Sequence, residues 1–206
     1  MMAGAMTIEN GFVEVGAGSW LVSHGQPAAF FGKTMRRRRK GWVLPDRTSL
    51  DLVETSDTAK CADRSRPFLT HIPCAAPISA VSSKVLVAPM ESRVGAQRVK
   101  LVPMSVIRSL CVTDFASEWV VTATEGRTAR IQVAEGNTLS VRPDAVVAWS
   151  GERPTGFCPR LGILDVILPR TPRDLLLTFY GPAIVWIEGS KADVKRAVAL
   201  RRAYGI

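Results

Sequence analysis

The amino-acid sequence predicts an all-β fold, a sandwich or barrel, from three observations. Pro and Gly punctuate the chain at short, regular intervals. The runs between them are rich in Val, Ile, Leu, Thr and aromatic residues, as expected of short strands joined by turns. Long helical periodicity is almost absent.

Taken in chain order, residues 11–23 (GFVEVGAGSWLVS), 49–54 (SLDLVE), 78–89 (ISAVSSKVLVAP) and 97–103 (QRVKLVP) read as strands or strand pairs. Residues 118–126 (EWVVTATEG), 127–136 (RTARIQVAEG), 137–143 (NTLSVRP), 145–151 (AVVAWSG) and 174–181 (DLLLTFYG) follow in the same manner. RTARIQV alternates cleanly, with Ala129, Ile131 and Val133 on one face and Arg130 and Gln132 on the other. The last β element is LLLTFYGPAIVWIEGS, residues 175–190, which is too short for a spanning helix of roughly 20 residues. It reads as a hairpin: a buried strand to Tyr180, a bend at Gly181-Pro182, and a returning strand from Ala183. In that strand Ala183, Val185 and Ile187 share one face, and Ile184, Trp186 and Glu188 the other. Trp186 is expected to fill the barrel or to face a neighbouring subunit.

Residues 191–206 are expected to form a short C-terminal helix. Ser190 and Asp193 give the S-x-x-D form of a capping box, and good helix formers follow. Lys195, Arg196, Arg201 and Arg202 make this helix basic. It is read as a solvated helix packed on the barrel edge through Val194, Ala197 and Val198, in preference to a phosphate-binding tail. Residues 1–190 are then one β domain. An ungapped overlay of residues 15–31 on 133–149 matches Val15 with Val133, Gly18 with Gly136, Leu21 with Leu139 and Phe31 with Trp149. It suggests a repeated unit of strand, Gly turn, strand, Pro-containing bend and apolar strand.

Composition sets the class. Hydrophobic residues are 47% and charged residues 22% of 206, so the chain is globular material able to bury a substantial core. No secretory signal pattern and no apolar run of spanning length is seen, and a cytoplasmic protein is expected. The four cysteines, Cys61, Cys74, Cys111 and Cys158, are widely spaced, and His24 and His71 are the only histidines. The cysteines are expected to be reduced and mostly buried, with no metal and no cofactor.

The net charge of +9 invites a polyanionic partner. The charge concentrates at Arg36, Arg37, Arg38, Arg39 and Lys40, with Trp42 just beyond. Five consecutive cations require a surface loop. Such a loop can contact nucleic-acid phosphates or anionic lipid headgroups, with Trp42 stacking on a base, or be a solvated hairpin tip.

Enzyme constellations are scarce. The chain has no G-x-S-x-G, no GxxxxGK[ST], no GxGxxG after a strand and no H-x-H. His24 is expected at a turn or on the surface, and Pro73 between His71 and Cys74 argues against a Cys-His pair. Asp144, Glu152 and Asp174 each adjoin a Pro or Arg, and these three and Asp165 read as turn or cap residues. No catalytic residue is assigned.

Two segments resemble a known family. In AEGNTLSVRPDAVVAWSG, residues 134–151, Gly136, Leu139, Val141, Pro143, Ala145, Val147 and Ala148 fit a G-x-x-L-x-V-x-P-x-A-x-V-A signature. In residues 175–190, Phe179, Gly181, Pro182, Val185 and Trp186 fit a closing F-x-G-P-G-x-V-W, with Ala183 in place of the second glycine. These signatures resemble those of the altered-inheritance-of-mitochondria protein 24 family, over roughly residues 105–190. The resemblance implies a double-stranded β-helix like that of the tryptophan RNA-binding attenuation protein. It also implies a non-enzymatic scaffold, a homo-oligomer that binds a protein partner not named by the sequence. The alternative expectation is a nucleic-acid-binding protein using the basic loop and the basic C-terminal helix.

Overall fold

The computed structural model of the chain describes residues 6–24, 29–31, 34–35, 42–43, 49–55, 58–63, 66–89, 93–100, 109–116, 118–157 and 176–189. Within these the chain forms four antiparallel sheets. A four-stranded sheet runs in the order β1 (Met6–Glu9), β2 (Phe12–Val15), β8 (Ala59–Ala62), β4 (Ala29–Phe31). A seven-stranded sheet runs β5 (Thr34–Met35), β7 (Ser49–Thr55), β3 (Ser19–His24), β11 (Val85–Pro89), β14 (Trp119–Thr124), β9 (Phe68–Pro73), with β6 (Trp42–Val43) also on β7.

A six-stranded sheet runs β12 (Arg93–Lys100), β13 (Ser109–Ala116), β10 (Ile78–Val81), β17 (Val146–Ser150), β20 (Ala183–Gly189), β15 (Arg127–Val133). A three-stranded sheet runs β16 (Thr138–Val141), β19 (Leu176–Tyr180), β18 (Thr155–Phe157). Short 3-10 turns at Ser82–Lys84 and Pro143–Ala145 join β10 to β11 and β16 to β17.

Three apolar clusters stack these sheets in layers. Val13, Val15, Ala59 and Cys61 of the four-stranded sheet pack on Val87, Trp119, Val121 and Ala123 of the seven-stranded one. The other face of that sheet sends Ile72, Val85, Ala88 and Val120 against Ile78, Ala80, Phe115, Val147, Ala148 and Trp186 of the six-stranded sheet. The far face of the six-stranded sheet, with Val133, Val146, Trp149 and Val185, meets Val141, Leu177 and Phe179 of the three-stranded sheet.

The two central sheets are thus covered on both sides, and their inner strands are largely apolar, as double burial requires. Every residue of β11 and β14 is buried. Thr124 tolerates this because its hydroxyl donates to the carbonyl of Gly126 at 2.8 Å. The Ser82 and Thr113 hydroxyls, both buried, satisfy each other at 2.8 Å.

All-β architecture is as expected, but the barrel is corrected: among the described residues the sheets stack as open layers and do not close. The hairpin at residues 175–190 is also corrected. β19 pairs with β16 and β18, whereas β20 pairs with β15 and β17, so the two strands lie in different sheets. The physical reason is burial on both faces of β20, with Val185 in one core and Trp186 in the other. The bend at Gly181-Pro182, a cis peptide, is therefore a corner between layers. Trp186 fills an inter-sheet core rather than a barrel. His24, expected at a turn or on the surface, is the last residue of β3. The C-terminal helix lies outside the described residues.

The repeat overlay has a structural counterpart. Gly18 and Gly136 sit in turns with φ of 82° and 78°, and each follows a strand that ends on a buried valine, Val15 and Val133. In both places the chain leaves one sheet and enters the next.

Candidate binding groove

Three inter-sheet connections converge at one end of the six-stranded sheet. They are the 3-10 turn at Ser82–Lys84, the turn at Glu125 and Gly126 between β14 and β15, and the 3-10 turn at Pro143–Ala145. Lys84 ties them together. Its Nζ lies 2.7 Å from Glu188 Oε2 and donates to the Asp144 carbonyl, also at 2.7 Å. The Gly126 N–H donates to the other Glu188 oxygen at 2.6 Å.

Burial pushes the Glu188 carboxyl up, but the Lys84 ammonium and the backbone N–H groups outweigh it and hold the carboxyl below its ordinary value. With side chains only 14% and 16% exposed, the Lys84–Glu188 pair is shielded enough for its loss to matter. The nearby Arg142–Asp144 pair closes at 2.6 Å but is 68% and 65% exposed, and such surface pairs are worth about 0–1 kcal/mol.

Beside this cluster lies a groove of about 630 Å³, within the roughly 300–1,000 Å³ usual for binding pockets. Its floor is apolar, formed by Ile131, Leu139, Val141, Leu176 and Ile187, and its rim carries Glu125, Arg142 and the Lys84–Glu188 pair. The strands that line it come from both the three-stranded and the six-stranded sheets. The groove opens where the smaller sheet stops short of the larger.

The structure brings the signature residues into one unit next to this groove. Gly136 makes its turn, Pro143 opens a 3-10 turn, and Ala148 pairs in register with Trp186. Gly181 donates its N–H to the Asn137 carbonyl at 3.0 Å and lies against the backbone of Ala134, and Pro182 completes the corner. These five residues shape backbone or core and do not line the groove, whereas Leu139, Val141 and Ala145 of the same signature do.

The expected polyanion residues fall largely outside the described residues. Arg36, Arg37, Arg38, Arg39 and Lys40 lie outside the described residues, and Trp42 stands in β6, paired through the backbone with Leu50. The strands flanking the basic run, β5 and β6, both pair with β7. Of the cysteines, Cys61 is a buried free thiol and Cys74 is half-buried.

Sequence reasoning missed the Lys84–Glu188 pair. A signal existed in each strand: Lys84 interrupts the apolar run of residues 78–89, and Glu188 follows a long apolar stretch. That two such charges, separated by about a hundred positions, meet depends on sheet order.

No family model matches the chain, and no curated protein matches it. Among solved structures it is similar to the crystal structure of protein SPYM3_0169 from Streptococcus pyogenes, a structural-genomics target. The TM-score is 0.65 at 12% sequence identity, with 99% of this chain and 100% of that chain covered, a likeness of fold. Among the described residues no helix is long and apolar enough to cross a membrane.

Proposed function

We propose that the chain is a non-enzymatic β-scaffold like those of the altered-inheritance-of-mitochondria protein 24 family, binding a protein partner and associating with itself. The double-stranded β-helix of the tryptophan RNA-binding attenuation protein and the C-terminal helix belong to the same proposal. One observation carries it: the two signature segments meet through the β16–β19 and β17–β20 pairings and use their signature residues for corners and core. The groove alongside has an apolar floor and a rim whose charges are largely paired, a surface suited to binding.

Self-association is supported by long strands at both ends of the six-stranded sheet, β12 with eight residues and β15 with seven. Among the described residues these edges are unpaired, and edges of this length favour strand-to-strand contact. Light scattering across a wide concentration range should report an oligomer, and a monomer throughout would reject self-association. Capture of a stoichiometric protein partner from the source cell by the native chain tests the scaffold itself.

A second reading, nucleic-acid binding, is favoured by the net charge of +9 and by the anchoring of both flanks of Arg36–Lys40 on β7. It expects retention on heparin or RNA that weakens steeply with salt and disappears when Arg36 to Arg39 become Ser. Absence of retention at low salt excludes this reading.

A further inference from the structure

The two outer layers are unequal. Among the described residues four strands cover the seven-stranded sheet and three cover the six-stranded sheet. The shortfall falls at β16, which pairs with β19 on one side and with no described strand on the other.

The direction of its backbone groups follows from the ladder. Gly181 donates to Asn137, so that facing pair is hydrogen-bonded, and antiparallel pairs then alternate. Thr138 and Ser140, facing Tyr180 and Thr178, are the non-hydrogen-bonded positions. Their N–H and C=O groups therefore point away from β19, toward the unpaired side. Beyond that edge, Ile131 and Ile187 on the six-stranded sheet remain only half-buried in the groove.

The charges sharpen the fit. Lys84 answers Glu188, and Arg142 answers Asp144, which leaves the Glu125 carboxylate with no ion-pair partner among the described residues.

We propose that an extended peptide segment of another protein, apolar at alternate positions and carrying one Lys or Arg, adds to β16 as a fourth strand. It lies at the usual interstrand spacing of about 4.8 Å, pairs with Thr138 and Ser140, covers Ile131 and Ile187, and sets its cation against Glu125. Main-chain pairing supplies affinity in such strand addition and the alternate side chains supply specificity. The inference rests on the partner-binding reading above and names the chemistry of the partner for this groove.

The test titrates the full chain into a fluorescently labelled, end-capped synthetic peptide of alternating valine and threonine with one central lysine. Saturable binding is expected, weakened about tenfold or more by Ser140→Pro, which removes one edge donor and no backbone bond to β19; the Ser140–Thr178 hydroxyl contact that it also loses is lost equally in Ser140→Ala. Ser140→Ala should bind as the wild type does, because the backbone makes the contact. The peptide should also slow amide exchange at Thr138 and Ser140 in the wild type, a readout that does not need the proline variant to fold. Glu125→Gln should weaken the lysine peptide and leave its norleucine counterpart unchanged.

The proposal is overturned by absence of saturable binding, by undiminished binding to Ser140→Pro, or by unchanged exchange at both amides. It is also overturned if the chain dimerises through β16 in competition with the peptide, since the occupant is then a second copy. Failure of the peptide with partner capture intact removes this inference alone. Failure of both removes the scaffold reading with it.

Discussion

Gly181 and Gly136 both occupy turns, yet substitution at each is expected to fail for a different reason. A Cβ on Gly181 would run into the carbonyl of Ala134, which belongs to a neighbouring strand end and cannot step aside. A Cβ on Gly136 meets nothing within 4 Å, but its φ of 78° is left-handed. Gly136→Ala should therefore cost about 1–2 kcal/mol, and Gly181→Ala about 3 kcal/mol or more, since backbone must move. Urea midpoints of the two variants check the order. Trp149 offers the opposite case. It is fully buried against Phe179, with ring centroids 5.7 Å apart, and its indole N–H finds no acceptor among the described residues. Trp149→Phe should be close to neutral, because relief of the unpaired donor offsets the lost volume, whereas Trp149→Ala should cost about 3–5 kcal/mol. Glu188 gives a pH signature. Its folded carboxyl titrates below its ordinary value, so its contribution is present above the unfolded value and lost as pH falls through the folded one. Acid unfolding followed by circular dichroism should steepen below about pH 4, and Glu188→Gln should remove that component. Burial pushes the Cys61 thiol up to about 12, so peptide mapping after thiol labelling should find it unmodified in the native chain. At this scale the sequence disclosed residues with a backbone duty, Gly136, Pro143 and Gly181, because turn chemistry is local. It did not disclose the Lys84–Glu188 pair, which exists only after distant strands have met.

Strands differ in what they tolerate according to the layer they occupy. β14 lies in a sheet covered on both faces and has no solvent side, whereas β15 mixes exposed and half-buried positions until Val133. Val120→Lys should cost about 4 kcal/mol or more, from an unpaired buried charge, while Gln132→Lys should stay within about 0.5 kcal/mol. Thermal melts of the pair distinguish a central strand from an edge strand. The same difference explains which elements were legible. Residues 118–126 and 145–151 announced themselves as apolar runs, and 127–133 as an alternation. The strands at Ala59–Ala62 and Phe68–Pro73 did not, being short or interrupted by His and Pro, and they persist because β2 and β14 supply their partners. The GPAIVW segment looked like a hairpin because a Gly-Pro bend between apolar runs is the usual hairpin pattern. Which sheet each arm joins is decided by strands far away in sequence.

For the molecule as a whole, nearly every layer is stitched from remote segments: β3 pairs β11, β9 pairs β14, and β2 pairs β8. Closing such loops precedes the reward of contact, so refolding measured by stopped-flow fluorescence should take milliseconds to seconds or longer, and not microseconds. The sequence predicted the class from its turn spacing and strand composition, but layer order is a property of pairing that no local pattern encodes. The burial of the inner strands of two sheets has a further bearing on how a lineage built on this plan can change. A position hidden between layers asks for an apolar side chain of suitable bulk, and many residues answer that description. Interior replacements can therefore accumulate in balanced pairs without altering the outline of the molecule. Ancestry would fade from the letters long before it faded from the shape, and new binding habits would be written on the outer strands alone.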